Sequence, residues 1–134
     1  VFPSLEILDT RIFRKDENTG KMRTVFDTIS DNAANAGIIS GVQKNDPQKF
    51  DLRRVGSIVM RNNEVEETGL GAGVLNDPIT GIIWLVKRLS EYNQKISPGE
   101  IILSGSFIRP IEARKGDEFY ADFGDFGFVE CKFN

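Results

Sequence analysis

Asp77-Pro78-Ile79-Thr80-Gly81-Ile82-Ile83-Trp84-Leu85-Val86-Lys87-Arg88-Leu89 is the one long helical signal in this chain. Asp is a strong N-cap and Pro is preformed for the first helical position. Ile79, Ile82, Ile83, Val86 and Leu89 then recur at helical spacing, with Lys87 and Glu91 off the stripe. The spacing predicts a helix over about 77–92. Everything around it reads as short strands and turns. Downstream, Ser97-Pro98-Gly99 closes the connection and Glu100 to Leu103 reads as a short buried strand. Glu118 to Phe123 and Phe128 to Phe133 alternate like half-buried strands around Gly124-Asp125-Phe126-Gly127. Upstream, Arg54 to Met60 and Glu64 to Leu70 flank Arg61-Asn62-Asn63, a hairpin pattern. Gly37 to Gly41 reads as a buried strand, and Asp27 to Ala36 is rich in small and polar residues, with Asp27 or Thr28 as the cap of a short helix. Ile12 to Phe26 reads as two strand-like arms around the polar turn Asp16–Gly20, and Leu5 to Leu8 as a short buried strand. Many short strands with one long helix predict an α+β fold, β-rich, with a mixed sheet or roll.

Composition narrows the chemistry. The chain has 134 residues, enough for one domain, with a net charge of −3 that offers no electrostatic footprint for nucleic acid. Its Arg/Lys pairs are scattered among acids, as on solvated strand and loop ends. No apolar run approaches the roughly 20 residues of a membrane helix, and no basic lead followed by an apolar block marks a signal peptide. Cys131 stands alone, so no internal disulfide forms, which fits a reducing cytoplasm. Within its alternating run it reads as a packed thiol. The chain contains no histidine, which excludes Ser-His-Asp and Cys-His catalysis and His-rich zinc sites within it. Carboxylate, hydroxyl, amide, Lys and Arg remain, a set suited to a hard cation such as Mg²⁺ or Mn²⁺.

Three segments carry that chemistry. Glu6 lies between Leu5 and Ile7. Either it points to the open face of an alternating strand, or it is buried and must be paired or metal-bound. Asp27-Thr28-Ile29-Ser30-Asp31-Asn32 is the densest polar cluster. It reads either as a helix cap with a polar turn or as a site where Asp31 and Asn32 hydrogen-bond a substrate carboxylate, an enolate or ordered water. Ser104-Gly105-Ser106-Phe107-Ile108-Arg109-Pro110 directly follows the expected buried strand at Glu100 to Leu103. It is either a turn with an exposed Arg or a place where small residues admit an anion to backbone amides and Arg109 grips a carboxylate. Leu70-Gly71-Ala72-Gly73 lacks either nucleotide-binding glycine pattern, and close backbone packing explains it.

Taken in order, four segments resemble a known family. Phe2-Pro3-Ser4-Leu5-Glu6-Ile7-Leu8-Asp9-Thr10-Arg11-Ile12, Val25 to Gly37, Gly73 to Pro78 and Gly105 to Pro110 look like the 2-oxo acid hydratases and decarboxylases of aromatic catabolism, which have the fumarylacetoacetate hydrolase fold. The polar insertion at Asp16 to Thr24 and the Phe-Ile-Arg-Pro segment favour its dicarboxylate branch, found in homoprotocatechuate degradation. The resemblance implies Mg²⁺ or Mn²⁺ held by a Glu-x-Glu pair and a third Glu, which Glu6 matches. It places the pair and the catalytic Lys in an amino-terminal half, so residues 1–134 are expected to form the carboxy-terminal part of a single catalytic domain. Val1-Phe2-Pro3, opening straight into an apolar run, agrees with that expectation. Ser104 and Ser106 align with a hydroxyl-bearing Thr-Gly-Thr stretch that would hold substrate, and Arg109 would meet a distal carboxylate. The implied partners are a small dicarboxylate 2-oxo acid and further copies of the protein in a homo-oligomer, with no nucleic acid and no membrane. The implied reaction is hydration of a conjugated alkene. Decarboxylation or hydrolysis on the same fold, or a non-catalytic subunit, are the competing expectations.

Overall fold

Two antiparallel hydrogen-bonding systems build the molecule, which is described here from a computed structural model covering residues 1–134. The first is a pair, β1 (Ser4–Leu8) with β2 (Asn35–Ser40). The second is a four-stranded sheet of β3 (Gly56–Arg61), β4 (Glu64–Leu70), β5 (Glu118–Asp122) and β6 (Phe128–Lys132), in the order β4-β3-β5-β6. The β-rich α+β class read from the sequence is therefore observed. Every strand pair is antiparallel, and the pairing is divided between two sheets.

Alternation sets the core. Val59 of β3, Phe119 and Ala121 of β5 and Val129 of β6 turn to one face and are buried. Leu5 and Ile39, direct cross-strand partners in the β1–β2 pair, pack onto that face together with Ile108, Ile111 and Phe133. The β3–β4 hairpin turns through Asn62 and Asn63, both left-handed at φ 53° and 68°, as a two-residue turn between right-twisted strands requires. Asn62 also ties the turn to the sheet, donating to Asp117 at 2.8 Å and accepting from the Glu118 amide at 3.0 Å.

The long helix, α2, runs over Pro78–Ser90 with Asp77 as N-cap, its carboxylate accepting from the Ile79 amide at 2.9 Å. The start is as expected from Asp-Pro, and the end comes two residues earlier than the sequence reading placed it. None of its residues is fully buried, and Trp84 is 63% exposed. It is too short, like every helix here, to cross a membrane.

Several expectations are corrected. The arms expected over Ile12 to Phe26 form only one isolated bridge, Lys15 with Met22, because Phe13 and Met22 find nothing to pack against. Thr24, not Asp27 or Thr28, caps the short helix α1 (Val25–Ser30). Asp27 is the third residue of a capping box, its carboxylate accepting from the Thr24 amide at 2.7 Å. Glu100 to Leu103 is not a strand, since no neighbouring strand offers it a ladder. The β2 strand is only half-buried, alternating along its length because the structure covers one of its faces.

The exposed area is large for the mass. A folded 15.0 kDa chain exposes about 7,000 Å² by the usual scaling, whereas this one exposes 10089 Å². Apolar side chains are among the exposed groups, including Val25, Phe26 and Ile29 of α1 and Ile83, Trp84 and Val86 of α2.

Candidate functional site

Glu6 sits where strand alternation puts it. Leu5 is turned to the core, so Glu6 emerges on the opposite, open face of β1. A bulge in the β1–β2 ladder decides its neighbour. Glu6 faces Ile38 and Ile7 faces Gly37, but Leu8 faces Asn35 because the register shifts by one residue. A regular ladder would set Ala36 opposite Leu8 and turn Asn35 away. The extra residue instead brings Asn35 onto the side of Glu6, and its Nδ2 donates to Glu6 Oε1 at 2.8 Å. Oε2 makes no hydrogen bond within the chain.

Asn35 closes a left-handed turn. Asn32, Ala33 and Ala34 follow one another at φ 49°, 54° and 65°. Asn tolerates that region, but Ala does not, and each such residue costs about 1–2 kcal/mol. Strain of this kind persists where the surroundings over-determine it. Here they do, through Arg11. Its Nε donates to Asp31 Oδ1 at 2.5 Å and its Nη2 to the Asp31 carbonyl at 2.5 Å, just before the turn. Its Nη1 donates to the Asn35 carbonyl at 3.1 Å, just after it. Thr10 Oγ1 and the Arg11 amide both donate to Asp31 Oδ2 at 3.1 Å, and the Asp9 amide donates to the Ala34 carbonyl at 2.9 Å.

Asp31 is the one buried acidic residue, 4% exposed. Burial pushes its carboxyl upward, but the hydrogen bonds from Arg11 and Thr10 outweigh that and hold it below the ordinary value of 3.8. Both carboxylate oxygens are engaged within the chain, so Asp31 reads as the anchor of this turn. Asn32 beside it is exposed.

The second group sits on another support. Ser104, Ser106 and Arg109 are exposed in an irregular segment running past Gly69 and Gly73. A Cβ on Gly69 would lie 2.3 Å from the Phe107 carbonyl oxygen, so glycine is required for this approach. Within Leu70-Gly71-Ala72-Gly73 the close backbone approach is at Gly71, where a Cβ would lie 2.0 Å from the Leu52 carbonyl oxygen. Ser106 Oγ donates to the Ile108 carbonyl at 2.9 Å, a local turn, while Ser104 keeps its hydroxyl free of side-chain bonds. Arg109 Nε and Nη2 lie 2.9 and 2.7 Å from Glu67 Oε1 on β4. No hydrogen bond or ion pair joins this segment to Glu6. Two shallow surface depressions, one around Phe50 and Asp77 and one around Leu70 and Phe107, contain none of the candidate residues.

No three acidic or cysteine side chains converge as a metal site. The donor chemistry fits one position of one: Glu6 offers a hard oxygen on an open face, with its other oxygen already fixed. Sequence reasoning missed Arg11, Asn35 and Thr10 as parts of this arrangement. The one available signal was Asp31, a carboxylate without a local cation, which demanded a partner from elsewhere.

No family model matches the chain. Among curated proteins, it is 49% identical over 133 residues to 2-oxo-hept-4-ene-1,7-dioate hydratase of Escherichia coli, covering 99% of this chain and 50% of that protein. By sequence the chain is related to the 2-oxo acid hydratase and decarboxylase family. The dioate hydratase is the member that the Asp16 to Thr24 insertion and the Phe-Ile-Arg-Pro segment favoured. A 2-keto-4-pentenoate hydratase of Paraburkholderia xenovorans is 32% identical over 99% of this chain and 47% of its own length. The fold agrees. The structure of 4-oxalocrotonate decarboxylase from Pseudomonas putida G7 complexed with magnesium and adipate matches with a TM-score of 0.88 at 28% identity. The same enzyme complexed with calcium and acetate matches at 0.86. Each match covers 99% of this chain and 48% of that one. The chain spans about half the length of the relatives it matches.

Proposed function

We propose that this chain supplies one half of a divalent-metal-dependent hydratase of the fumarylacetoacetate hydrolase fold, acting on an unsaturated 2-oxo dicarboxylic acid in aromatic catabolism. The 49% identity to a dioate hydratase, sustained over 99% of the chain, carries the reading. When bound, Mg²⁺ or Mn²⁺ would supply Lewis-acid polarisation of a 2-oxo acid. Glu6 would hold it through its free carboxylate oxygen, and the remaining ligands and the proton-shuttling Lys would come from the half that the relatives carry in addition. Ser104 and Ser106, flanking Gly105 at φ 106°, bind the substrate carboxylate or an ordered water. Asn32, exposed beside the left-handed turn, contributes a further hydrogen-bonding group toward substrate, and Asp31 supports the turn through Arg11. Arg109 exchanges Glu67 for the distal carboxylate, a charge-assisted contact that selects diacids. We assign the assembled protein to the cytoplasm, in keeping with the lone cysteine of these 134 residues, and to a homo-oligomer.

The test uses the full-length protein. Hydration consumes the dienol absorbance of such substrates in a metal-dependent way and yields a product heavier by one water. Glu6→Gln is expected to lower kcat/KM by at least about 100-fold, beyond the loss typical for groups that only orient ligands. Metal-independent turnover, or full activity in that variant, would overturn the proposal. The decarboxylase reading rests on the two structural matches, and a product lacking CO₂ would favour it.

A further inference from the structure

We infer that Arg11, Asp31 and Asn35 are positioning residues that fix the Glu6 carboxylate in a single orientation, with Oε1 occupied and Oε2 presented to the cation. This rests on the reading of Glu6 as a metal ligand and adds to it how the ligand is held. A glutamate on an open strand face is otherwise free to rotate about three side-chain bonds, and ordering such a side chain costs free energy at the moment of binding. The structure spends that ordering beforehand. Asp31, buried and held by Arg11, clamps the backbone before the left-handed turn, and the Nη1 of the same Arg11 clamps the backbone after it. Together with the bulge opposite Leu8, the turn leaves Asn35 with its amide aimed at Glu6 Oε1. Two consecutive left-handed alanines in a hydrogen-bonded frame have no role in the core, since neither Ala33 nor Ala34 is buried. What they do is set the position of Asn35.

The experiment measures Mn²⁺ affinity of the full-length protein by the EPR signal of free Mn²⁺, without substrate. Asn35→Ala is expected to weaken Mn²⁺ binding by about 10- to 100-fold, the usual cost of losing a group that orients a ligand. Its metal-free melting temperature stays near wild type, because Asn35 is only partly buried and its strand hydrogen bonds are kept. At saturating Mn²⁺, kcat recovers while the half-saturating Mn²⁺ concentration stays raised, a split that a general loss of structure would not produce. Arg11→Lys and Asp31→Asn shift affinity in the same direction. Where either fails to fold, Asn35→Ala decides. Wild-type affinity in Asn35→Ala, with affinity lost in Glu6→Gln, overturns the positioning role and leaves the ligand reading standing. Wild-type affinity in Glu6→Gln removes the ligand reading and this inference with it.

Discussion

At the scale of single residues, environment separates carboxylates that look alike in the sequence. Glu6 is open and keeps one oxygen free, whereas Asp31 is buried and fully engaged by Arg11 and Thr10. Because hydrogen bonds hold the Asp31 carboxyl below its ordinary value of 3.8, its stabilising contribution is fully present above that pH. It is lost as pH falls further, through the lowered native value. The stability difference between wild type and Asp31→Asn should therefore stay constant from neutrality down to about pH 4 and shrink below it. Urea unfolding at a series of pH values checks this, and a difference that grows on acidification would contradict it. Arg109→Ala should raise KM for a diacid by about 10- to 100-fold, the equivalent of a charged hydrogen bond, and leave a monoacid nearly unaffected. Burial pushes the Cys131 thiol up and leaves it half-covered, so it should react with a disulfide reagent more slowly than a free thiol.

Local signals fixed most of the elements. The Asp77-Pro78 start, the Asn62-Asn63 turn and the strands around Gly124–Gly127 are observed where the residues place them, since each is set by contacts within a few positions. Asn63→Val should destabilise by about 1–2 kcal/mol by forcing a β-branched residue left-handed. Asn63→Gly should be tolerated, and denaturant midpoints distinguish the two. The expected strands at Ile12 to Phe26 and Glu100 to Leu103 did not form. A strand exists only if another strand lies beside it, and nothing in those residues states whether one does. Thr24→Ala removes one side of the capping box and should cost about 1 kcal/mol, visible as a shift in the same midpoints.

For the whole molecule, surface area is the telling quantity. The excess over a compact 15.0 kDa chain, about 3,000 Å², exceeds the roughly 800 Å² that one partner buries in an ordinary interface. The isolated 134-residue chain should accordingly bind a hydrophobic dye such as ANS. That signal should fall when the amino-terminal half of a related hydratase is supplied. An isolated chain that leaves the dye dark would show that its apolar face is closed without a partner.

By itself, the sequence determined the β-rich class, the helix start, the hairpin turn, the absence of any histidine within these residues and the family resemblance. All of these are written in neighbouring residues or in their order. It left Glu6 open between a solvated strand residue and a ligand, and Asp31 and Asn32 open between a polar turn and a substrate site. Only the tertiary structure joined Arg11 to Asp31 across 20 positions and Asn35 to Glu6 across 29. The reason is physical. Which polar groups meet depends on one bulge and one left-handed turn, and a register shift of a single residue reverses the face on which a side chain emerges.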